Sequence, residues 1–265
     1  MSEVKAIEET AKSGIQLLTE MPAISIKAEP IFHILNFKVN NSLILSTLVL
    51  IFFTLVALFY NKQSKEKKKN KFYYLINFIL KSVYGIFESV LKEKTTLFFP
   101  LFGTFFIFIL LQNWFGLLPG VGSVVLKVAE EGKIHFFPLL RGNNADLNTT
   151  LALALISVFL IQFYGIKYLG FKVYIKKFIN FSNPVNFFVG FLELISEVSK
   201  IISFSFRLFG NVFAGEVLLT IMAFLIPVAI SFPFVILEIF VGLVQALVFS
   251  LLSAVFLNLA ISSHH

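Results

Sequence analysis

The sequence predicts an all-α integral membrane protein, and three observations carry that prediction. Of its 265 residues 57% are hydrophobic and only 14% charged, against about 25% charged in an ordinary soluble domain. Mean hydropathy is +0.87. Several continuous apolar runs approach the roughly 20 residues a helix needs to cross the hydrocarbon layer, whereas a transmembrane barrel would show short alternating segments. The prediction is five to six helices, including one lying at the interface and a long, strongly tilted two-helix hairpin at the C-terminus. Residues 1–41 form an extramembrane segment, and residues 42–265 a single helical membrane domain.

The first 40 residues are polar and mixed, broken by Pro22 and Pro30, and predict a short surface helix followed by an extended segment. Met1 to Glu20 carries several Glu residues and lacks the apolar core of a secretory signal. The first span runs from Leu43 to Tyr60 and ends at a lysine-rich run, Asn61 to Lys71. Positive loops stay on the cytoplasmic or matrix side, which puts the N-terminus outside.

Residues 72–96 place Lys81, Glu88, Lys92, Glu93 and Lys94 among apolar positions, a pattern suited to a helix in the interface plane. The second span covers Leu97 to Leu118 and breaks at Pro119-Gly-Val-Gly-Ser123. Lys127 to Asn148 reads as a polar loop with balanced charge, hence on the outer side. The third span, Thr149 to Tyr168, meets Lys167, Lys172, Lys176 and Lys177, so a second loop gives the same orientation.

Asn183-Pro184 opens a segment of more than 40 residues without a strong breaker before Pro227. At 1.5 Å per residue it extends over roughly 60 Å, about twice the hydrocarbon thickness. It must tilt, bend or run partly along the interface. Pro227 to Pro233 reads as a turn and Phe234 to Ile261 as the last span, leaving Ser262-Ser-His-His265 inside. His264 and His265 read as an inert terminal pair.

The net charge of +7 sits in loops beside apolar runs, which is a topology signal and not a nucleic-acid footprint. With no cysteine in the chain, disulfides, thiolate metal sites and Cys nucleophiles are excluded. His33 and His135 fall in predicted loops, and neither an HExxH nor a GxSxG pattern occurs, so an intramembrane enzyme is disfavoured. A secondary ion transporter or channel acting without a rotor is the alternative class, but no internal repeat is visible.

Arg207 is the costly residue. It lies in Ile201-Ile-Ser-Phe-Ser-Phe-Arg-Leu-Phe-Gly-Asn-Val-Phe-Ala-Gly-Glu216, and a guanidinium does not shed its proton to escape burial. An Arg at the centre of a membrane helix costs at least about 2.5 kcal/mol, so it is a functional candidate. On a helix Lys200, Ser203 and Asn211 fall near its stripe, whereas Glu216, nine residues on, points about 180° away. Glu238 and Gln245, seven residues apart on the last span, share one face about 10 Å long. Glu193, Glu197 and Lys200 are spaced to form an ion-pair face.

Ser205-Phe-Arg-Leu-Phe-Gly-Asn-Val-Phe-Ala-Gly-Glu216 followed by Gln245-Ala-Leu-Val-Phe249 resembles subunit a of the F-type ATP synthases. Asn113-Trp-Phe-Gly-Leu-Leu-Pro119, Ala145-Asp-Leu-Asn-Thr-Thr-Leu151 and Asn183-Pro184 onward extend the resemblance over about residues 95–261. The resemblance implies a non-catalytic stator subunit without cofactor or metal, facing a ring of c subunits and held with subunit b of the peripheral stalk and the remaining subunits in the lipid bilayer. It implies that Arg207 separates two aqueous half-channels, that Glu216 and Glu238 line the outer one, and that Asn211 and Gln245 lie near the arginine. Glu193 and Lys200 match charged positions near the inner end. Some family members carry His at the position of Glu238 and an acidic residue where this chain has Gly116. A bacterial plasma membrane is the expected location, with an organelle's energy-transducing membrane as the alternative.

Overall fold

A computed structural model describes residues 28–34, 37–122, 124–130, 133–179, 183–225 and 231–262. The expectations for residues 1–20, Pro227 and the terminal histidines lie outside these residues. Seven α-helices are present among them: α1 (Asn41–Lys65), α2 (Lys71–Leu91), α3 (Thr95–Gly116), α4 (Leu147–Leu169), α5 (Phe171–Phe178), α6 (Pro184–Leu225) and α7 (Ser231–Ile261). Asn41–Lys65, Lys71–Gly116, Leu147–Leu169 and Phe232–Ile261 are long and apolar enough to cross a membrane. The chain is a multi-pass helical membrane protein.

Two antiparallel hairpins are added to the helices. β1 (Pro30–Ile34) pairs with β2 (Phe37–Asn40), an extended stretch as expected. β3 (Val125–Glu130) pairs with β4 (Lys133–Pro138), where charge balance alone predicts a polar loop. Its alternating Val, Leu, Ile and Phe with only two intervening residues in sequence carry the hairpin signal.

Two other segments depart from the sequence reading. The lysine-rich stretch after Tyr168 is not all loop: Gly170, with φ of 82°, ends α4 and allows α5 to start at once. α7 begins at Ser231, so Pro233 belongs to its first turn and not to a connecting turn. Proline is tolerated there because a first-turn N–H has no intrahelical acceptor.

The core is built from α2, α3, α4, α6 and α7 around Phe87, Phe98, Phe102, Ile109, Leu208, Phe249 and Leu257. Phe204 packs its ring against Phe249 at 5.1 Å and against Phe256 at 5.8 Å. Lipid is as apolar as these side chains, so close packing and polar cross-links must hold the helices together. Buried Ala246, Ser250, Ser253, Ala254 and Leu257 give α7 a narrow contact face. Ser157 on α4 donates to Ser253 at 2.8 Å, and Asn258 on α7 donates to the Val90 carbonyl of α2 at 3.1 Å. Each such bond contributes about 0.6 kcal/mol within a bilayer. Outward-facing Leu48, Leu55, Phe78 and Phe159 are exposed, as lipid contact requires.

The lysines mark one end of the bundle. The last turns of α1 meet the first turn of α2 through the stacked Tyr60 and Tyr73 rings, 4.9 Å apart. The other end of α2 is joined by three residues to α3, whose Phe98 packs against Tyr164 near the end of α4 at 5.0 Å. Lys94 lies 5.7 Å from the Tyr168 ring. Both ends of α2 therefore sit at the lysine-rich end, the geometry of a helix running along that face.

Candidate functional site

The functional candidates lie on α6 and on the face of α7 packed beside it. Arg207 is exposed on α6 and its Nη2 donates to Ser203 Oγ at 3.1 Å, one turn earlier. Among the described residues no carboxylate lies within ion-pair distance of it. Exposed apolar side chains on the two helices include Ile195, Ile202 and Phe206 of α6 and Leu237, Phe240 and Val244 of α7. Asn211 leaves the same stripe to reach α7, donating from Nδ2 to Gln245 Oε1 at 2.7 Å. Gln245 is only 4% exposed and its Nε2 has no hydrogen-bond partner among the described residues.

Glu216 points elsewhere, as the nine-residue spacing requires. It meets Arg141, from the segment between β4 and α4, side-on. Nε donates to Oε1 at 3.1 Å and to Oε2 at 3.3 Å, and Nη2 donates to Oε2 at 3.2 Å. Arg141 is 3% exposed. Sequence reasoning did not single it out, because 75 positions separate the partners and the surrounding loop was read only for its net charge. The one available signal was an arginine set directly against the apolar run ending in Leu140.

Glu238 projects from α7 onto the backbone of α6. A Cβ at position 215 would run into its carboxylate, so Gly215 forms the niche that receives it. No hydrogen bond or ion pair holds that carboxylate among the described residues. The neighbouring end of α3 is pinned to α7 by two side chains. Asn113 donates to the Gly242 carbonyl at 2.9 Å and Trp114 Nε1 to the Ile239 carbonyl at 3.1 Å. Asn144 donates in turn to Asn113 Oδ1 at 2.7 Å. These bonds fix the turn of α7 that carries Glu238.

At the lysine-rich end Glu193 and Lys200 join a larger network. Lys177 of α5 lies 2.6 Å from Glu193 Oε1 and 3.9 Å from Glu197 Oε1, and Lys200 Nζ lies 2.7 Å from Glu197 Oε1. Gln162 of α4 donates to Glu197 Oε2 at 2.7 Å, and Tyr174 of α5 donates its hydroxyl proton to Gln162 Oε1. Burial, reinforced by the Glu197 and Glu193 charges, pushes the Tyr174 phenol up to about 12, so it remains a donor. The spacing showed only the Glu193, Glu197 and Lys200 face. Gln162, Tyr174 and Lys177 come from other elements and carried no local signal. A cleft of about 300 Å³, lined by Val158, Gln162, Phe178, Leu194 and Glu197, adjoins the network.

Arg207 is nearly midway between the two polar ends, ten residues from Glu197 and nine from Glu216. The two carboxylates are separated by roughly 28 Å along the helix, close to one hydrocarbon thickness. Among the described residues no three of His, Asp or Glu converge as a metal ion would require.

Residues 42–258 match the family model described as ATP synthase A chain. ATP synthase subunit a of Moorella thermoacetica is 28% identical over 239 residues, covering 90% of this chain and 99% of that protein. ATP synthase subunit a 2 of a Bradyrhizobium species is 32% identical over 189 residues, covering 71% of this chain and 74% of that protein.

Proposed function

The chain belongs to the ATP synthase A chain family, and from that premise we propose that it is the proton-conducting stator subunit of the membrane sector. It provides two offset aqueous half-channels and a fixed cation between them. The observation that carries this reading is the position of Arg207: a permanent charge, exposed on α6 and without a carboxylate partner among the described residues, midway between two polar clusters.

A ring of c subunits bearing membrane-embedded carboxylates fits that exposed charge. Guanidinium attraction favours each ring carboxylate in its ionised form as it passes, and the same charge repels protons in a low-dielectric channel. Protons that cannot pass Arg207 directly must bind the ring, ride it and leave on the other side. A proton leaking through 100 mV would waste about 2.3 kcal/mol. Lysine is a poorer barrier because it deprotonates when desolvated and lacks the planar fork.

The outer half-channel is lined by Glu216 and Glu238 and approaches the ring near Asn211 and Gln245. The inner one leaves by Glu193, Glu197 and Lys200. Residues 1–41 lie outside, the lysine-rich end lies on the cytoplasmic side, and subunit b with the rest of the enzyme completes the complex in a bacterial plasma membrane. The chain performs no bond-making chemistry of its own.

Arg207→Ala tests this directly. In vesicles containing the whole complex, the variant is expected to retain the c ring on purification and to lose ATP synthesis driven by a proton gradient. Normal synthesis would overturn the stator reading.

A further inference from the structure

We propose that Arg141 is a positioning residue of the outer half-channel: it clamps Glu216 as a fixed anion and leaves Glu238 as the carboxylate free to exchange protons. This rests on the stator reading above and assigns different tasks to two carboxylates that it treats alike.

The argument begins with lone pairs. Both oxygens of Glu216 accept from the Arg141 fork, through Nε and Nη2, at 3.1 to 3.3 Å. Side-on charge-assisted pairs of this kind are among the strongest hydrogen-bonded contacts in proteins. A proton arriving on Glu216 would have to break one of these contacts and weaken the charge pairing of a guanidinium that is 3% exposed. The cost falls on the guanidinium, which is buried although Glu216 itself is one-third exposed, so Glu216 is poorly suited to cycling between protonated and ionised forms.

Glu238 differs in each respect. Its carboxylate rests in the Gly215 niche without an ion pair or hydrogen bond among the described residues, so protonation breaks no contact. Gly215, which it touches, immediately precedes Glu216 on α6. A proton drawn toward the Glu216 anion can therefore be taken up by Glu238. The clamp also holds the Glu216 side chain on the Arg141 side of α6, opposite Arg207, so the two cannot collapse into an internal pair.

The charged groups around Glu216 come from three places. Arg141 precedes α4, Glu238 belongs to α7, and Glu29, just before β1, lies within electrostatic reach. Glu29 is held in place by Asn41, whose Nδ2 donates to Glu29 Oε2 at 2.8 Å and whose backbone N–H donates to the Glu29 carbonyl at 3.1 Å. Asn41 Nδ2 also donates to the Pro138 carbonyl at 3.2 Å, tying this acidic residue to the hairpin that leads into Arg141.

The test is a double-mutant cycle on the whole complex in vesicles, reading proton flux against outer pH. Arg141→Gln and Glu216→Gln are each expected to lower flux about tenfold, and the double variant to fall no further, because coupled residues are not additive. Arg141→Lys should recover part of the flux. Arg141→Gln alone should add a second titrating step to the pH curve, lost again in the double variant. A loop that merely misfolds would not produce that step, and retention of the c ring checks assembly. Additive losses with an unchanged pH curve in Arg141→Gln would overturn the clamp. Failure of the stator reading looks different: coupled synthesis would survive Arg207→Ala whatever the state of position 141.

Discussion

At the lysine-rich end Glu197 is gripped by Lys200, Gln162 and, more distantly, Lys177, with Glu193 held by the same Lys177. At the opposite end Glu238 has no such partner among the described residues, and its neighbour Glu216 is committed to Arg141. One end thus holds two carboxylates in a shared network drawn from α4, α5 and α6. The other separates a paired carboxylate from an unpaired one. A network in which two acids share two cations survives the loss of one acid better than a path that depends on a single free carboxylate. On the proposed function, in which each end lines one half-channel to a shared ring, the two ends should therefore respond unequally to mutation.

The largest effect expected at the two ends is at Glu238. Glu238→Gln keeps the shape of the side chain in the Gly215 niche and removes its proton exchange. A positioned acid-base group contributes about 10² or more to a proton transfer, so flux through the complex should fall by about a hundredfold while the c ring is retained. Flux within about twofold of the parent would show that Glu238 is not the exchanging group, and would remove the asymmetry from the outer end.

A smaller loss should follow Glu197→Gln at the inner end. The introduced amide would still offer its carbonyl oxygen to Lys200 or Gln162, and Lys177 would remain on Glu193, so flux should drop only by about threefold to tenfold. Combining it with Glu193→Gln removes both acids and should bring the loss near that of Glu238→Gln. If Glu197→Gln alone abolished flux, the shared network would offer no redundancy and the comparison between the ends would fail.

How much of this the sequence disclosed follows from how each contact is made. Helical spans came from continuous apolar runs. The opposed directions of Arg207 and Glu216 came from spacing within one helix, and the common face of Glu238 and Gln245 from a seven-residue repeat. All of these are local periodicities. Both Glu238 and Gln245 do lie against α6, at Gly215 and Asn211. Arg141 was invisible for the opposite reason, since its partner lies 75 residues on and the surrounding loop shows no period. The same holds for Gln162 and Tyr174, whose roles exist only once α4, α5 and α6 are packed. The β3–β4 hairpin is hidden by the balanced charges of its segment, which outweigh its apolar alternation.

The smallest effect tests how the inner network is held. Tyr174 packs directly on Gly165, where a Cβ would meet its ring at 2.5 Å, and its hydroxyl orients Gln162 toward Glu197. Tyr174→Phe keeps the ring in place and deletes only the donor. Gln162 still donates to Glu197, so proton flux should change by less than about threefold, while α5 loses about 1 kcal/mol of its attachment. Because opening governs proteolysis when reclosing is fast, that loss should speed tryptic cleavage at exposed Lys172 and Lys176 by about fivefold. An unchanged cleavage rate with a flux loss as large as that of Glu197→Gln would mean that the hydroxyl belongs to the proton path itself and is not a brace for it.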